Sequence, residues 1–378
     1  MMNKIYLDNN STTQIDPKVL KEMIPYFSEK YGNPSSQSHA FGWEANAAID
    51  IAREKISKLI NSKPNEIIFT SGATESNNLA INGLLKNQKY KNSNIITSTI
   101  EHKAVLDVLQ PIKNQVTFIA PNKDGIINIK DIEQSINEQT ILISIMHANN
   151  EIGTIQPIKQ IGNLCKKHNI IFHVDAAQSL GKSDIDVIDM NIDLLSISAH
   201  KIYGPKGIGA LYINDKKEKF NIHPLIVGGG QENNYRSGTL ATPLIVGFGK
   251  ACDILLNQMN SDNKRILKLT SKLKSEIISK YPSTVINGSM EDRIPGNINL
   301  SFPFLNGLSI LRSMPRIAIS SGSACSSSSP KPSHVLTQIG RSKLEANTSI
   351  RIGIGRFNKE EDIDIAIRTI LNAIEKKI

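Results

Sequence analysis

Short apolar runs alternate with helical stretches through the middle of the chain. Between Glu66 and Ile213, the runs rich in β-branched residues that have the length of buried strands are Ile67–Thr70, Ile95–Thr97, Val116–Ile119, Ile141–Ile145, Ile170–Val174 and Leu194–Ser198. Segments such as Ile158–Lys167 have helical periodicity, and two more helices, Pro17–Phe27 and Trp43–Ile60, are predicted before the first strand. Strands that are apolar on both faces and separated by helices indicate a mostly parallel sheet covered by helices on both faces. The pattern predicts an α/β fold.

The pattern changes near Val246. A long amphipathic stretch, Val246–Tyr281, is followed by scattered short strands, a Ser-rich run from Ser320 to Ser329 and a final helix, Glu360–Lys376. This part of the chain predicts a smaller α+β domain. The expected division is a segment 1–15 that joins the small domain, a large domain 16–250, and a small domain 251–378 that carries a loop at about 320–333.

Composition excludes several classes of protein. The 378 residues include 44 Lys+Arg against 35 Asp+Glu, a net charge of 44 − 35 = +9, but the lysines are scattered over helical surfaces, which does not favour direct nucleic-acid binding. No apolar run reaches the ~18 residues of a membrane span, and the first residues resemble neither a signal nor a transit peptide. We therefore expect a cytoplasmic protein with no membrane contact. The 3 cysteines form no CxxC pair, so neither a disulfide framework nor a metal site is predicted.

Candidate chemistry lies where the predicted strands end, because ligands of parallel sheets bind outside the carboxyl ends of the strands. The turn Ser71–Thr74 opens a helix and offers N–H groups and a hydroxyl to a phosphate. Asp175 follows one buried strand and Lys201 follows the next, and as an isolated pair they could form a structural salt bridge. Pyridoxal phosphate needs a lysine for its Schiff base, an acid for its ring nitrogen and a phosphate site. Together these three features indicate that cofactor.

Nine motifs in the same order extend this indication over nearly the whole chain. They are Tyr6–Thr13, Ser71–Asn78, Glu101–His102, Asn149–Gly153, His173–Gln178, Ser198–Lys201, Gly228–Glu232, Arg236–Thr239 and Ser321–Cys325. With these motifs the sequence resembles the cysteine desulfurases, a branch of the class V aminotransferase group of fold-type I pyridoxal-phosphate enzymes. The resemblance implies a large domain with a mostly parallel sheet, a small α+β domain and pyridoxal 5'-phosphate as cofactor.

The resemblance also implies a role for each matching residue. Lys201 would form the Schiff base, His102 would stack on the ring, Asp175 would lie at the ring nitrogen and Gln178 at the phenolic oxygen. An aspartate in that place makes the ring a better electron sink. The phosphate would be held by Thr74, Ser198 and His200, and Ala73 is a further cofactor-binding residue. Thr239 would reach the phosphate of the other subunit, which implies a homodimer.

Two residues match the positions that receive the substrate carboxylate, Asn150 and Arg351. The planar guanidinium fork suits a carboxylate because it donates two parallel hydrogen bonds. From the residues alone, a surface salt bridge remains an alternative for Arg351, and Arg356 is a nearby competitor.

The three cysteines differ in their surroundings. Cys165 and Cys252 lie in amphipathic helical stretches, which is typical of small core residues, whereas Cys325 follows Ser, Gly and Ala in a polar segment. The resemblance implies that Cys325 attacks the substrate sulfur as a thiolate, that alanine leaves, and that the sulfur stays on Cys325 as a persulfide. A free thiol titrates near ~8.5, so local charge or a proton acceptor has to raise the thiolate fraction, and His102 is the candidate acceptor.

The resulting hypothesis is a cysteine desulfurase that takes L-cysteine and supplies an acceptor protein, either an iron–sulfur scaffold or a tRNA-thiolation enzyme. The alternatives are a selenocysteine lyase or another class V aminotransferase-type enzyme, and a non-catalytic scaffold of the same fold. Cys325 argues against a transaminase, which has no use for an exposed nucleophilic thiol. The joint presence of Lys201, Asp175 and Arg351 argues against a scaffold.

Overall fold

The computed structural model describes residues 4–90, 92–215, 221–305, 309–321 and 332–378. Its helices are α1 (Pro17–Met23), α2 (Pro25–Ser28), α3 (Ala40–Ile60), α4 (Ala73–Leu85), α5 (Lys103–Leu109), α6 (Ile129–Ser135), α7 (Ile158–His168), α8 (Thr242–Lys280), α9 (His334–Gln338), α10 (Lys343–Asn347) and α11 (Glu360–Glu375). Its strands are β1 (Ile5–Tyr6), β2 (Ile67–Thr70), β3 (Asn94–Ser98), β4 (Val116–Ile119), β5 (Thr140–Ser144), β6 (Ile171–Asp175), β7 (Leu194–Ser198), β8 (Gly209–Ile213), β9 (Val285–Ile286), β10 (Asn297–Ser301), β11 (Ile317–Ala318) and β12 (Ile350–Gly353). In these ranges no helix has both the length and the apolar character needed to cross a bilayer.

A seven-stranded sheet in the order β2-β8-β7-β6-β5-β3-β4 forms the centre of the large domain. The pairs from β7 through β6, β5 and β3 to β4 are parallel, and β8 is antiparallel to both of its neighbours, β7 and β2. The predicted fold class, an α/β fold with a mostly parallel sheet, is confirmed. Strand β8 was not among the predicted strands. It lies between β2 and β7 and is antiparallel to both, so β2 and β7 run in the same direction.

Alternate residues of the central strands belong to different cores. In β6, Ile171 packs with α4 and α5, while Phe172 packs on the opposite face with α3, α7 and the first half of α8. Leu194 and Leu195 of β7 divide in the same way. Both faces of the sheet are therefore covered, which is the physical reason for the uninterrupted apolar runs.

The small domain has its own core. Strands β9, β10 and β12 form an antiparallel sheet, β1 pairs in parallel with β11, and both pack against α11 and the second half of α8. Helix α8 is continuous from Thr242 to Lys280 and contributes to both cores. The boundary suggested at 250/251 lies inside this helix, and the domain limits stay a prediction.

One helix is shorter than its pattern predicts. The expected helix Pro17–Phe27 is divided into α1, which ends at Met23, and α2, which begins at Pro25. Proline has no N–H to continue the helical hydrogen bonds, so the chain starts a new turn there.

The segment between β1 and α1 crosses from the small domain to the large sheet. Gly353 N of β12 donates to Leu7 O at 2.7 Å, and Thr13 N donates to His200 O, beyond β7, at 3.0 Å. This crossing places residues 8–13 between Arg351 on β12 and the end of β7.

Candidate active site

A cavity of about 550 Å³ opens at the edge of the large sheet where β2, β6 and β7 end. The predicted site residues that line it are Ala73, Thr74, His102, Asn150, Asp175, Gln178, Ser198, His200, Lys201 and Arg351. Residues more than 270 positions apart in the chain therefore meet in one place. Thr239 is exposed and does not line this cavity, and Cys325 lies outside the described residues.

Asp175 and Lys201 are held by different partners. Asn77 Nδ2 and Ala177 N donate to the two carboxylate oxygens of Asp175 at 2.8 and 2.9 Å. Lys201 Nζ donates to Asn10 O at 2.5 Å and to Ser11 O at 2.7 Å. Among the ion pairs of the described residues there is none between Asp175 and Lys201, so the salt-bridge alternative is not what holds these two side chains.

The turn before α4 leaves helical N–H groups without a capping side chain. Gly72 is the N-cap, with φ of 153° and no side-chain hydrogen bond to the first turn. Glu75, the acidic residue of the first turn, has a partner on each carboxylate oxygen. Ser71 N donates to Oε2 at 2.8 Å and Arg236 Nε donates to Oε1 at 3.1 Å. An uncapped helix N-terminus suits an anion, and its dipole favours negative charge.

The part of the cavity around His200 carries a positive field. Burial, together with nearby Lys201, Lys206 and Lys182, lowers the pKa of His200 to about 4. His200 is therefore a neutral imidazole at physiological pH, with Nδ1 3.1 Å from Thr12 Oγ1. Burial and the neighbouring charges of Lys201 and Arg351 lower the pKa of Lys182 to about 7. Adding an anion to this part of the cavity would relieve repulsion between its cations.

Gln178 is connected to Lys201 through one carbonyl group. Gln178 Nε2 donates to Asn10 O at 2.8 Å, the same oxygen that accepts from Lys201. Lys182 Nζ donates to Gln178 Oε1 at 3.5 Å. Neither Asn10 nor Lys182 was predicted from the sequence as a site residue. Asn10 lies inside the motif Tyr6–Thr13, and that motif was the available signal.

His102 is the N-cap of α5, where its Nδ1 accepts from Ala104 N at 3.1 Å. A nitrogen that accepts cannot carry the ring proton, so a neutral imidazole in this geometry has its proton on Nε2. His102 presents a donor at Nε2 as long as this cap is formed.

The two candidate arginines differ in position and partners. Arg351 lines the cavity and contacts Asn150 O through Nη1 at 3.0 Å and Asp8 Oδ1 through Nη2 at 2.9 Å. Arg356 does not line it, and two carboxylates, Asp16 and Asp262, hold it at 3.1 and 2.7 Å. Its place in the wall of the cavity therefore favours Arg351 over its competitor for a substrate carboxylate.

Pyridoxal phosphate fits these residues. Asp175 is a buried carboxylate whose hydrogen bonds come from neutral donors, and such a group is stabilised by a cation such as a protonated ring nitrogen. The uncapped turn at Gly72 and the neutral His200 are suited to a phosphate, and Lys201 lines the same cavity. The fold and the site define a fold-type I pyridoxal-phosphate enzyme.

Comparison with known proteins agrees with this class. The family model "Aminotransferase class-V" matches residues 5–365, and the chain belongs to that family, whose members depend on pyridoxal phosphate. The cysteine desulfurase IscS of Rickettsia typhi is 50% identical over 375 residues, which cover 98% of this chain and 91% of that protein. Among solved structures, a NifS-like protein has a TM-score of 0.90 at 36% identity and covers 98% of this chain and 99% of its own. SspA in complex with cysteine has a TM-score of 0.83 at 41% identity, with 94% and 100% of the two chains covered.

A buried acid lies directly before His102. Ser98 Oγ and Met146 N donate to Glu101 Oε1 at 2.5 and 3.0 Å, while Glu101 Oε2 has no partner among the described residues. Burial, reinforced by the charge of Asp175, raises the pKa of Glu101 to about 8. The folded protein therefore keeps this carboxyl group neutral at pH 7.

This neutral acid makes stability depend on pH. In the unfolded chain a glutamate titrates near ~4.3, so between that value and the folded pKa unfolding releases a proton. The contribution of Glu101 to the free energy of unfolding should then fall as pH rises from 5 to 8, by up to ~1.4 kcal/mol per pH unit, and Glu101→Gln should lack this contribution. Urea unfolding of both proteins at four pH values measures the difference. Parallel curves would mean that Glu101 is ionised in the folded protein.

Proposed function

We propose that this chain is a pyridoxal-phosphate-dependent cysteine desulfurase. It converts L-cysteine to L-alanine and transfers the sulfur to Cys325 as a persulfide, which an acceptor protein then receives for iron–sulfur cluster assembly or tRNA thiolation. The observation that carries the proposal is the meeting of Lys201, Asp175 and Arg351 around one cavity. Similarity to the cysteine desulfurase of Rickettsia typhi and to SspA, whose structure was solved in complex with cysteine, supports the substrate.

The proposed cofactor site uses residues at or after the ends of four strands, β2, β3, β6 and β7. Asp175 would hold the ring nitrogen, Gln178 the phenolic oxygen, and His102 the ring face. The phosphate would be bound by Ala73, Thr74, Ser198 and His200, all of which line the cavity. The cofactor, when bound, supplies a carbonyl group that reacts with amines and a ring that withdraws electrons from the substrate α-carbon.

Lys201 would carry the cofactor and later move the substrate α-proton. Its amine donates to Asn10 O and Ser11 O, two neutral acceptors. Arg351 and Asn150 would bind the α-carboxylate and fix the direction in which the Cα–H bond points. Orientation of this kind is a large part of catalysis by enclosed sites.

Cys325 would take the sulfur. The thiolate forms an S–S bond with the substrate sulfur while the C–S bond breaks, and the β-carbon gains a proton to become the methyl group of alanine. No external oxidant is required, because the sulfur is oxidised and the carbon is reduced in the same step. For His102 to accept the thiol proton at Nδ1, its cap bond to Ala104 must open.

The proposal includes a homodimer in which Thr239 reaches the partner's cofactor. Thr239 is exposed, and its loop borders a surface cavity with residues 34–54. Apolar side chains are exposed in these two regions, among them Trp43 at 58% and Val227 at 77%. A surface of this kind is typical of a protein–protein contact. The cytoplasmic location and the destination of the sulfur are further parts of the proposal.

Removal of Lys201 should abolish covalent attachment of the cofactor. Lys201→Ala purified with pyridoxal phosphate should lack the visible absorption of the bound cofactor, whereas Lys206→Ala, which alters another lysine of the same cavity, should retain it. Borohydride reduction followed by peptide mapping identifies the modified lysine. A label on Lys182 or Lys206 would refute the assignment.

Removal of the Cys325 thiol should separate binding from sulfur transfer. With L-cysteine and a reductant, the intact protein should form alanine and sulfide in equal amounts, and Cys325→Ser should bind both cofactor and cysteine yet release neither product. Cys165→Ala and Cys252→Ala are matched controls, since both side chains are buried and burial raises the pKa of the Cys252 thiol. Full activity of Cys325→Ser would refute the formation of a persulfide on Cys325. No alanine from the intact protein would favour another amino-acid substrate.

The dimer should be visible in solution. Light scattering should report twice the chain mass of 41.6 kDa, and Trp43→Glu should shift the protein towards the monomer because it places a charge in the proposed contact. Ile188→Glu, at an equally exposed residue elsewhere, is the control. An active monomer would remove Thr239 from the site.

A further inference from the structure

The guanidinium of Arg351 already holds a carboxylate of its own chain. Arg351 is 2% exposed and forms an ion pair with Asp8, from Nη2 to Oδ1, at 2.9 Å. Nη2 also donates to Ser11 Oγ at 2.6 Å, and Nη1 donates to Asn150 O at 3.0 Å. Ser11 and Asn150 line the cavity with Arg351, whereas Asp8 does not.

These contacts determine which donors remain for a ligand. A guanidinium has five N–H groups, and it can grip a carboxylate with two parallel bonds from either of two edges. One edge uses Nε and Nη2 and the other uses Nη1 and Nη2, so both edges require Nη2. In this protein both Nη2 hydrogens are taken, by Asp8 and by Ser11, while Nε has no partner among the described residues.

Arg351 therefore cannot hold a substrate carboxylate by two hydrogen bonds until either Asp8 or Ser11 releases a hydrogen of Nη2. Ser11 is a neutral acceptor in the cavity wall, and a second carboxylate beside it meets no like charge. Asp8 is negative, and two carboxylates on one guanidinium repel each other. The electrostatic repulsion that opposes substrate binding therefore comes from Asp8.

Asp8 has a second partner that can keep its charge satisfied. Ser320 Oγ donates to Asp8 Oδ2 at 2.7 Å, on the oxygen that does not contact Arg351. The backbone of Ser320 is itself fixed to Arg351 by a pair of hydrogen bonds, of 2.6 and 3.1 Å. The carboxylate of Asp8 can thus loosen its contact with Nη2 and remain hydrogen-bonded.

We propose that Asp8 is a specificity-determining residue that competes with the substrate α-carboxylate for Arg351. This inference rests on the proposed function, in which Arg351 receives that carboxylate. In the absence of substrate, Asp8 neutralises the buried Arg351 and holds its guanidinium group in place. A ligand displaces it only by offering a full negative charge in the matching planar geometry, so Asp8 selects for α-carboxylates and sets the substrate concentration that the enzyme needs.

The test compares ligands that differ only in the carboxylate. L-Alanine and L-alaninamide, which has a neutral amide instead, are titrated into the holoenzyme, and the change in visible absorption of the bound cofactor reports the Kd. Asp8→Asn should bind L-alanine about tenfold more tightly, equivalent to ~1.4 kcal/mol, because a neutral amide competes less well for the guanidinium. The Kd for L-alaninamide should stay within about twofold of the wild-type value, since a factor of two is only ~0.4 kcal/mol.

Two further variants fix the interpretation. Asp262→Asn removes the matching carboxylate from Arg356, outside the cavity, and should change neither Kd. Ser320→Ala removes the second partner of Asp8, which strengthens its hold on Arg351, and should weaken L-alanine binding. This variant tests the idea independently if Asp8→Asn folds poorly.

The outcomes distinguish this inference from the proposed function. If Arg351→Lys leaves the Kd for L-alanine unchanged, the substrate site itself is wrong. If Arg351→Lys weakens L-alanine but Asp8→Asn fails to tighten it, or tightens both ligands equally, the competition is refuted and the proposed function stands. Tightening confined to L-alanine, with the opposite effect in Ser320→Ala, establishes the competition.

Discussion

The site depends on one short segment, residues 8–13, that crosses from the small domain to the end of the large sheet. Its backbone carbonyls receive Lys201 and Gln178, and its Asp8 carboxylate neutralises Arg351. A buried guanidinium without a partner would cost several kcal/mol, so the small domain cannot keep Arg351 at the cavity unless this segment is in place. The pairing of β1 with β11 and the bond from Thr13 to His200 fix both ends of the segment.

The described part of the site limits charge to a few places. Burial keeps Glu101 protonated and His200 neutral, and Asp175 is held by an amide and a backbone N–H rather than by a lysine. Lysines near His200 and the uncapped start of α4 then form a region that favours a dianion. Asp175 and Lys201 thus stay apart, because neutral groups hydrogen-bond each of them, whereas Arg351 is neutralised by Asp8.

Similar residues in this chain differ in role because of packing. Arg351 and Arg356 are both buried ion-pair arginines, yet only the former lines the cavity, and the latter is held by two carboxylates and lies over the ring of Tyr203 at 4.4 Å. Lys182 was not predicted as part of the site, and its contact with Gln178 depends on how the chain after β6 turns back. The partners of Arg356, by contrast, come from distant parts of the chain, and a single sequence has no local signal for such contacts.

The sequence by itself determined the alternation of strands and helices and the strand ends at which Asp175 and Lys201 stand. Apolar periodicity carries this information because it is local and must satisfy burial on both faces of the sheet. The motifs determined the family and the candidate residues. Only the tertiary structure decided that Lys201 rests on Asn10 and Ser11, that α8 joins both cores, and that Asp8 occupies Arg351. The contacts of Lys201 and of Asp8 require atoms from distant parts of the chain to meet within ~3 Å. Local sequence patterns do not indicate which distant atoms meet.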